Sequence, residues 1–256
     1  MRFQVMSLLA AACAVFSVSA HASRSTGDIT VEVVDSHGTV FQQVPTKREG
    51  HAYRAYLEAE KDARYRIRIR NSTGGRVGVV VAVDGRNIIS GARSELAHGE
   101  PMYILDGWAT QEYSGWRANL REVNEFYFTE WKDSYAEAFG DSSARGVIAV
   151  AVYREKESRP SALSGALDQP ANAAAPAESR EKKAERADAG TGYGDRRTEY
   201  VSQVEFDSEP RAAQRVFLKY EWHETLCSKR ILSCDEPHNR FWPNDAYGFA
   251  PPPPRH

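Results

Sequence analysis

The stretch KDARYRIRIRNSTGGRVGVVVAVDGRN, Lys61 to Asn87, decides the fold class. Arg64, Arg66, Arg68 and Arg70 share one parity and Tyr65, Ile67 and Ile69 the other, which is the period of a strand with one wet and one dry face. Asn71-Ser72-Thr73-Gly74-Gly75 follows, with residues suited to a hairpin connection. Val77 to Val83 is apolar on both parities and predicts a strand covered on both faces. Asp84-Gly85 is a two-residue turn signal, after which RNIIS begins again.

The same grammar extends outward in both directions. Upstream, DITVEVVD alternates and is closed by the turn SHG, while HAYRAYLEAE fits either a strand or a short helix. Downstream, MYILDG and QEYSGWR flank a second Asp-Gly, EVNEFYFTEW alternates less cleanly, and GVIAVAVYRE is apolar on both parities from Val147 to Val152. Short strands separated by Gly, Asp and Asn clusters predict an all-β fold, an antiparallel β-sandwich of jelly-roll-like type over residues 23–155. The two doubly buried runs are expected at its centre. No long amphipathic helix alternates with the strands, which argues against a doubly wound parallel sheet.

Residues 156–198 change character. They are rich in Ala, Pro, Gly and mixed charge, with almost no large apolar side chain after Leu167, and are expected to form a flexible linker. Strand-like patterns return over 199–235, in TEYVSQVEF and RVFLKYEW, with Val216, Leu218, Tyr220 and Trp222 on one parity. Two strands alone are marginal in water, so this segment is expected to dock on the sandwich after the linker. Residues 236–256 end in four prolines and read as an extended tail.

The first 22 residues carry one arginine, an apolar run and Ala20-His21-Ala22, the layout of a secretory signal peptide. The expected location is therefore secreted or periplasmic, with no membrane-spanning segment after signal removal. Cys227 and Cys234 then remain in a compartment that permits a disulfide, which would close a small ring and add roughly 2.5 kcal/mol. Acidic and basic residues nearly cancel, 35 against 33, so no nucleic-acid partner is indicated.

Read together, YRIRIRNSTGGRVGVVVAVDGRNIISG, MYILDGW, FYFTEWKDSYAEAFGD, GVIAVAVYRE and VFLKYEW resemble a family of uncharacterised bacterial secreted or envelope proteins. The likeness spans about residues 60–155 and 198–226. It implies one folded unit and carries no catalytic or binding residue.

Three groups of residues are candidates for function. Arg64, Arg66, Arg68 and Arg70 would form a ladder on one strand face, able to grip an anionic glycan or lipid, or simply to pair with acids on neighbouring strands such as Glu58, Glu60, Glu122, Glu125 and Glu130. The aromatic cluster from Tyr103 to Tyr135 supplies either core or a stacking surface. Phe126 and Phe128 share a parity and read as core, whereas Trp108 and Trp116 sit beside Gly107 and Gly115 and read as loop platforms, with Tyr113 nearby. Catalytic patterns are poor. GDSS, Gly140 to Ser143, lacks the surroundings of a nucleophile elbow, and HETLC, His223 to Cys227, has cysteine where a zinc protease needs its second histidine. Cys234, Asp235, Glu236 and His238 with His223 fit no structural zinc spacing, so no metal or other cofactor is assigned.

The expected function is that of a non-enzymatic sandwich that binds or assembles with an envelope protein or glycan, with self-association through sheet edges as one route. A carbohydrate-binding module using Trp108 and Trp116 is the second reading. The third is an envelope-acting hydrolase with carboxylates such as Asp106, Glu130 and Asp133 brought together from distant loops.

Overall fold

A computed structural model of the chain describes residues 28–46, 52–156 and 188–234. The expected signal peptide, most of the expected linker and the proline-rich tail lie outside these residues. Among the described residues fourteen strands run in order: β1 (Ile29–Asp35), β2 (Gln43–Pro45), β3 (Ala52–Ala59), β4 (Arg64–Asn71), β5 (Val77–Val83), β6 (Arg86–Asn87), β7 (Tyr103–Leu105), β8 (Thr110–Tyr113), β9 (Gly115–Arg117), β10 (Glu122–Glu130), β11 (Val147–Arg154), β12 (Ala189–Thr191), β13 (Arg196–Thr198) and β14 (Gln214–Trp222). A short helix, α1 (His223–Ser228), follows the last strand.

The strands form two sheets packed as an all-β sandwich. Sheet one has the order β1-β4-β10-β12, with β8 added to β4 and with β9 and β13 added to β10. Sheet two has the order β2-β3-β14-β11-β5-β6, with β7 also on β5. Every pairing among the described strands is antiparallel except one: β14 runs parallel to β3, from Arg215 opposite Ala52 to Trp222 opposite Ala59.

The strand period sorts the side chains. In β4, Tyr65, Ile67 and Ile69 are buried while the arginines point outward. Against them lie Val31 and Val33 of β1, Phe126 and Phe128 of β10, and, from sheet two, Leu57, Val79, Val81, Ile148, Val150, Val216 and Leu218. All seven residues of β5 are buried, as its double apolar parity requires. Its outer face, with Ala151 and Tyr153 of β11, is covered by Leu96, Met102 and Ala212. That cover sits so close that a Cβ at Gly78 would come within 2.3 Å of the Met102 sulfur and 2.8 Å of the Phe206 ring.

Several local expectations change. Residues 71–75 do not close a hairpin: β4 and β5 belong to different sheets, so this link crosses the sandwich. The Asn71 side chain holds the crossing, donating to the Gly75 and Asp106 carbonyls and accepting from the Thr73 amide and hydroxyl. Asn71 is fully buried and its amide is spent on these bonds. HAYRAYLEAE resolves to strand, with Tyr53, Ala55, Leu57 and Ala59 inward. TEYVSQVEF is not a strand: residues 199–207 are irregular and 202–205 are exposed on both parities, so no face drives pairing. Regular structure instead begins earlier, at β12 and β13, within the stretch read as linker.

The returning chain is locked in by a buried polar network. Asp84 and Gly85 both have positive φ, 50° and 81°, and make the turn between β5 and β6. The Asp84 carboxylate turns inward, accepting from the Gly146 amide at 2.7 Å, the Tyr220 hydroxyl at 2.7 Å and the Thr191 amide at 2.8 Å. The Thr191 hydroxyl continues the chain to Tyr220 and to Tyr65, each at 2.7 Å. The network thus ties β12 and β14 to both sheets. Burial pushes the Asp84 pKa up, from an ordinary 3.8 to about 6, against the three hydrogen bonds that favour its charged form.

Candidate functional site

A concavity of about 1060 Å³ lies on one flank of the sandwich. Its walls are β7 of sheet two, β8 of sheet one and the irregular segment 199–206, which crosses between the sheets as a strap. One end of the strap is anchored to sheet one, where the amides of Glu199 and Val201 donate to the carbonyls of Arg121 and Leu120. The other end is anchored to β11. There Phe206 packs over Gly78, Lys156 donates from its amide to the Asp207 carbonyl, and Ser208 bridges Glu155. Between the anchors, residues 202–206 make no backbone hydrogen bond to the described residues.

The floor of the groove is closely cross-bonded. Arg117, nearly buried, pairs with the Glu199 carboxylate and donates to the Glu199 carbonyl at 2.6 Å and to the Tyr103 hydroxyl at 3.0 Å. Ser114 donates to the other Glu199 carboxylate oxygen at 2.6 Å. Tyr103 stacks on Tyr113 at 4.2 Å, and burial raises the pKa of both phenols. A charge pair desolvated to this degree holds its partners firmly, because either ion left alone would be costly. The rim is apolar: Leu120, Val204 and Tyr200 are exposed, Tyr200 at 75%.

The sequence-derived candidates scatter around this groove rather than filling it. Tyr113 lines it but is buried, its hydroxyl donating to Gln111 at 3.0 Å. Trp116 is a core residue at 2% exposure. Its indole N–H donates to the Gly192 carbonyl at 3.0 Å, and its ring packs on Tyr135 at 4.4 Å and against Phe126 at 5.4 Å. It is no loop platform. Gly115 marks close packing rather than a turn, since a Cβ there would lie 2.1 Å from the Asn124 carbonyl oxygen. Trp108 does stand on a loop, 72% exposed, with φ of 64°. Beside it Gly107 packs directly on Gly74, where a Cβ would meet the carbonyl oxygen at 2.3 Å.

The arginine row is largely a paired face. Arg68 faces Glu32 across β1 and Glu112 across β8, and bonds Glu112 at 2.8 Å. Arg66 reaches the same Glu112 at 2.9 Å. Arg64 pairs with Glu125 and Asp195. Arg70, opposite Thr30 and Thr110, has no ion pair among the described residues. Of the acids expected to answer the row, Glu125 alone does so; Glu32 and Glu112 are set by strand register. Exposed pairs of this kind contribute little each, and Arg70 is the guanidinium of the row left without an ion pair among the described residues.

Cys227 and Cys234 are bonded, with Cα atoms 5.4 Å apart. Glu130 is held by Lys61 and Lys132, which lower its pKa to about 2, the opposite of what a general acid needs. At GDSS, the Asp141 carboxylate accepts from the Ser143 amide and hydroxyl, an ordinary turn. No helix among the described residues is long and apolar enough to cross a membrane. Comparison with known proteins finds no matching family, curated protein or solved structure.

Proposed function

We propose that the chain is a secreted or periplasmic, non-enzymatic β-sandwich that binds a protein of the cell envelope, taking an extended segment of that partner into the flank groove. The observation that carries this reading is the strap. Residues 202–206 present backbone donors and acceptors that have no backbone partner among the described residues, beside an apolar rim of Leu120, Tyr200 and Val204, over a floor fixed by Arg117 and Glu199. Strand addition supplies affinity through main-chain hydrogen bonds and specificity through pockets for alternate side chains. A closely cross-bonded floor lowers the ordering cost of binding.

A photo-crosslinking side chain at Gln203, compared with one at Arg70 on the charged outer face of β4, which does not line the groove, tests this in isolated envelope material. The reading predicts protease-sensitive adducts from position 203 and none from position 70. Identical patterns from both positions would defeat it. Adducts that resist protease and yield to glycan hydrolases would favour the carbohydrate reading, which retains the exposed Trp108 but has lost Trp116 to the core.

A further inference from the structure

We propose that Cys227, Cys234 and His223 form a redox-gated site for a thiophilic d10 cation, closed while the disulfide is formed and open once it is reduced. β14 passes directly into α1, so His223 and Cys227, four residues apart, share one face of the helix. The chain then turns back through Arg230, whose φ is 56°, with the amides of Lys229, Arg230 and Ile231 bonded to the carbonyls of Thr225, Cys227 and Leu226. That turn brings Cys234 to the same face. One imidazole nitrogen and the two sulfurs all lie within 4.8 Å of one another.

The imidazole is already oriented. Its Nδ1 is 2.8 Å from the Glu58 carboxylate on β3, the strand that lies beside β14. With a carboxylate engaging one ring nitrogen, Nε2 is the nitrogen left to act as a ligand. Two thiolates and one imidazole are a soft donor set, of the type that holds Cu(I) or Zn(II). Opening the site needs a dithiol reductant. The reductant is oxidised to its own disulfide while the Cys227–Cys234 bond takes up two electrons and two protons. When the cation binds, each thiol releases its proton and the sulfur lone pair goes to the metal, whose oxidation state does not change. The site lies at the end of the sandwich, outside the main core, so opening it leaves both sheets in place.

The test uses Zn(II) and Cu(I) as probes on the full chain, oxidised and dithiol-reduced, in anaerobic competition against a chromophoric chelator. A Cys13→Ser background leaves Cys227 and Cys234 as the two cysteines of the chain, so the difference between the two forms isolates the pair. The reduced chain is expected to bind one equivalent at least a hundredfold more tightly than the oxidised chain. His223→Ala should weaken binding at least tenfold, and Glu58→Gln roughly tenfold through the ring it positions. Circular dichroism should show the sandwich intact in every form. Equal binding before and after reduction would overturn the proposal. So would reduced binding that ignores His223→Ala, which marks simple dithiol capture, or loss of the fold on reduction, since α1 must hold the donors.

Discussion

Asp84 is a buried carboxylate at the centre of the interior's polar network. Its folded pKa of about 6 lies above the ordinary 3.8 because burial disfavours the charge more than Gly146, Thr191 and Tyr220 restore it. A raised folded pKa means that the folded chain binds the proton more tightly, so Asp84 contributes stability below pH 4 that is lost as pH rises through 6, on the order of 3 kcal/mol in all. Glu130, Asp35 and Glu155 act in the opposite sense: their pKa values are lowered, so their contribution is lost as pH falls through the acid range. Denaturation followed across pH should therefore show greatest stability between about 4 and 5. Asp84→Asn should flatten the slope between pH 5 and 7, and an unchanged slope would assign it to another group. At the same scale, Trp116→Ala should cost about 3–5 kcal/mol, as expected for a large buried ring, and Trp108→Ala less than about 0.5. Chemical denaturation of the two variants checks both. The chain order of residues 107–108 and 115–116 hides this contrast, because a glycine before a tryptophan reads as a turn whether it bends the chain or lets two backbones touch.

At the scale of the element, β4 and β5 show what alternation can and cannot reveal. Which residues of β4 are wet and which are dry follows from parity alone, and so does the double burial of β5. Which acids answer the arginines does not, because Glu32 and Glu112 are chosen by register with β1 and β8. The inward turn of Asp84 was equally invisible: Asp-Gly announces a bend, while the groups that receive the carboxylate lie at 146, 191 and 220. Strand edges carry their own protection. The outer side of β1 is met by the Gln214 side chain at Ile29, by the Gln43 side chain at Val31 and by the Phe41 amide at Val33, which leaves little of that edge for pairing with a second copy. β14 is no edge cover but a middle strand, with β3 on one side and β11 on the other. Without it, sheet two splits. Residues 23–156 produced alone should show no cooperative unfolding transition, whereas co-expression with residues 188–256 as a separate chain should yield a heterodimer that elutes as one species and melts cooperatively. A folded, monomeric 23–156 fragment would contradict this placement.

For the whole molecule, the two-sheet body was legible from its strand grammar, and the return of the chain from the apolar parity of Val216, Leu218 and Tyr220. The destination of that return was not legible, since a strand that fits a gap inside a sheet and one that covers an edge have the same pattern. The groove was hidden for a related reason: its strap, 199–206, has the composition of a strand but is suspended between anchors supplied by residues far away in sequence, Arg117 and Leu120 at one end and Lys156 at the other. The central claim is that a strand from beyond residue 187 completes the middle of sheet two. Amide hydrogen exchange across the native chain tests it most directly. The account predicts that 214–222 exchanges as slowly as 77–83 and 147–154, close to the global unfolding limit, while 202–206 exchanges fast. Exchange of 214–222 at the rate of the strap, with 77–83 and 147–154 still protected, would contradict it.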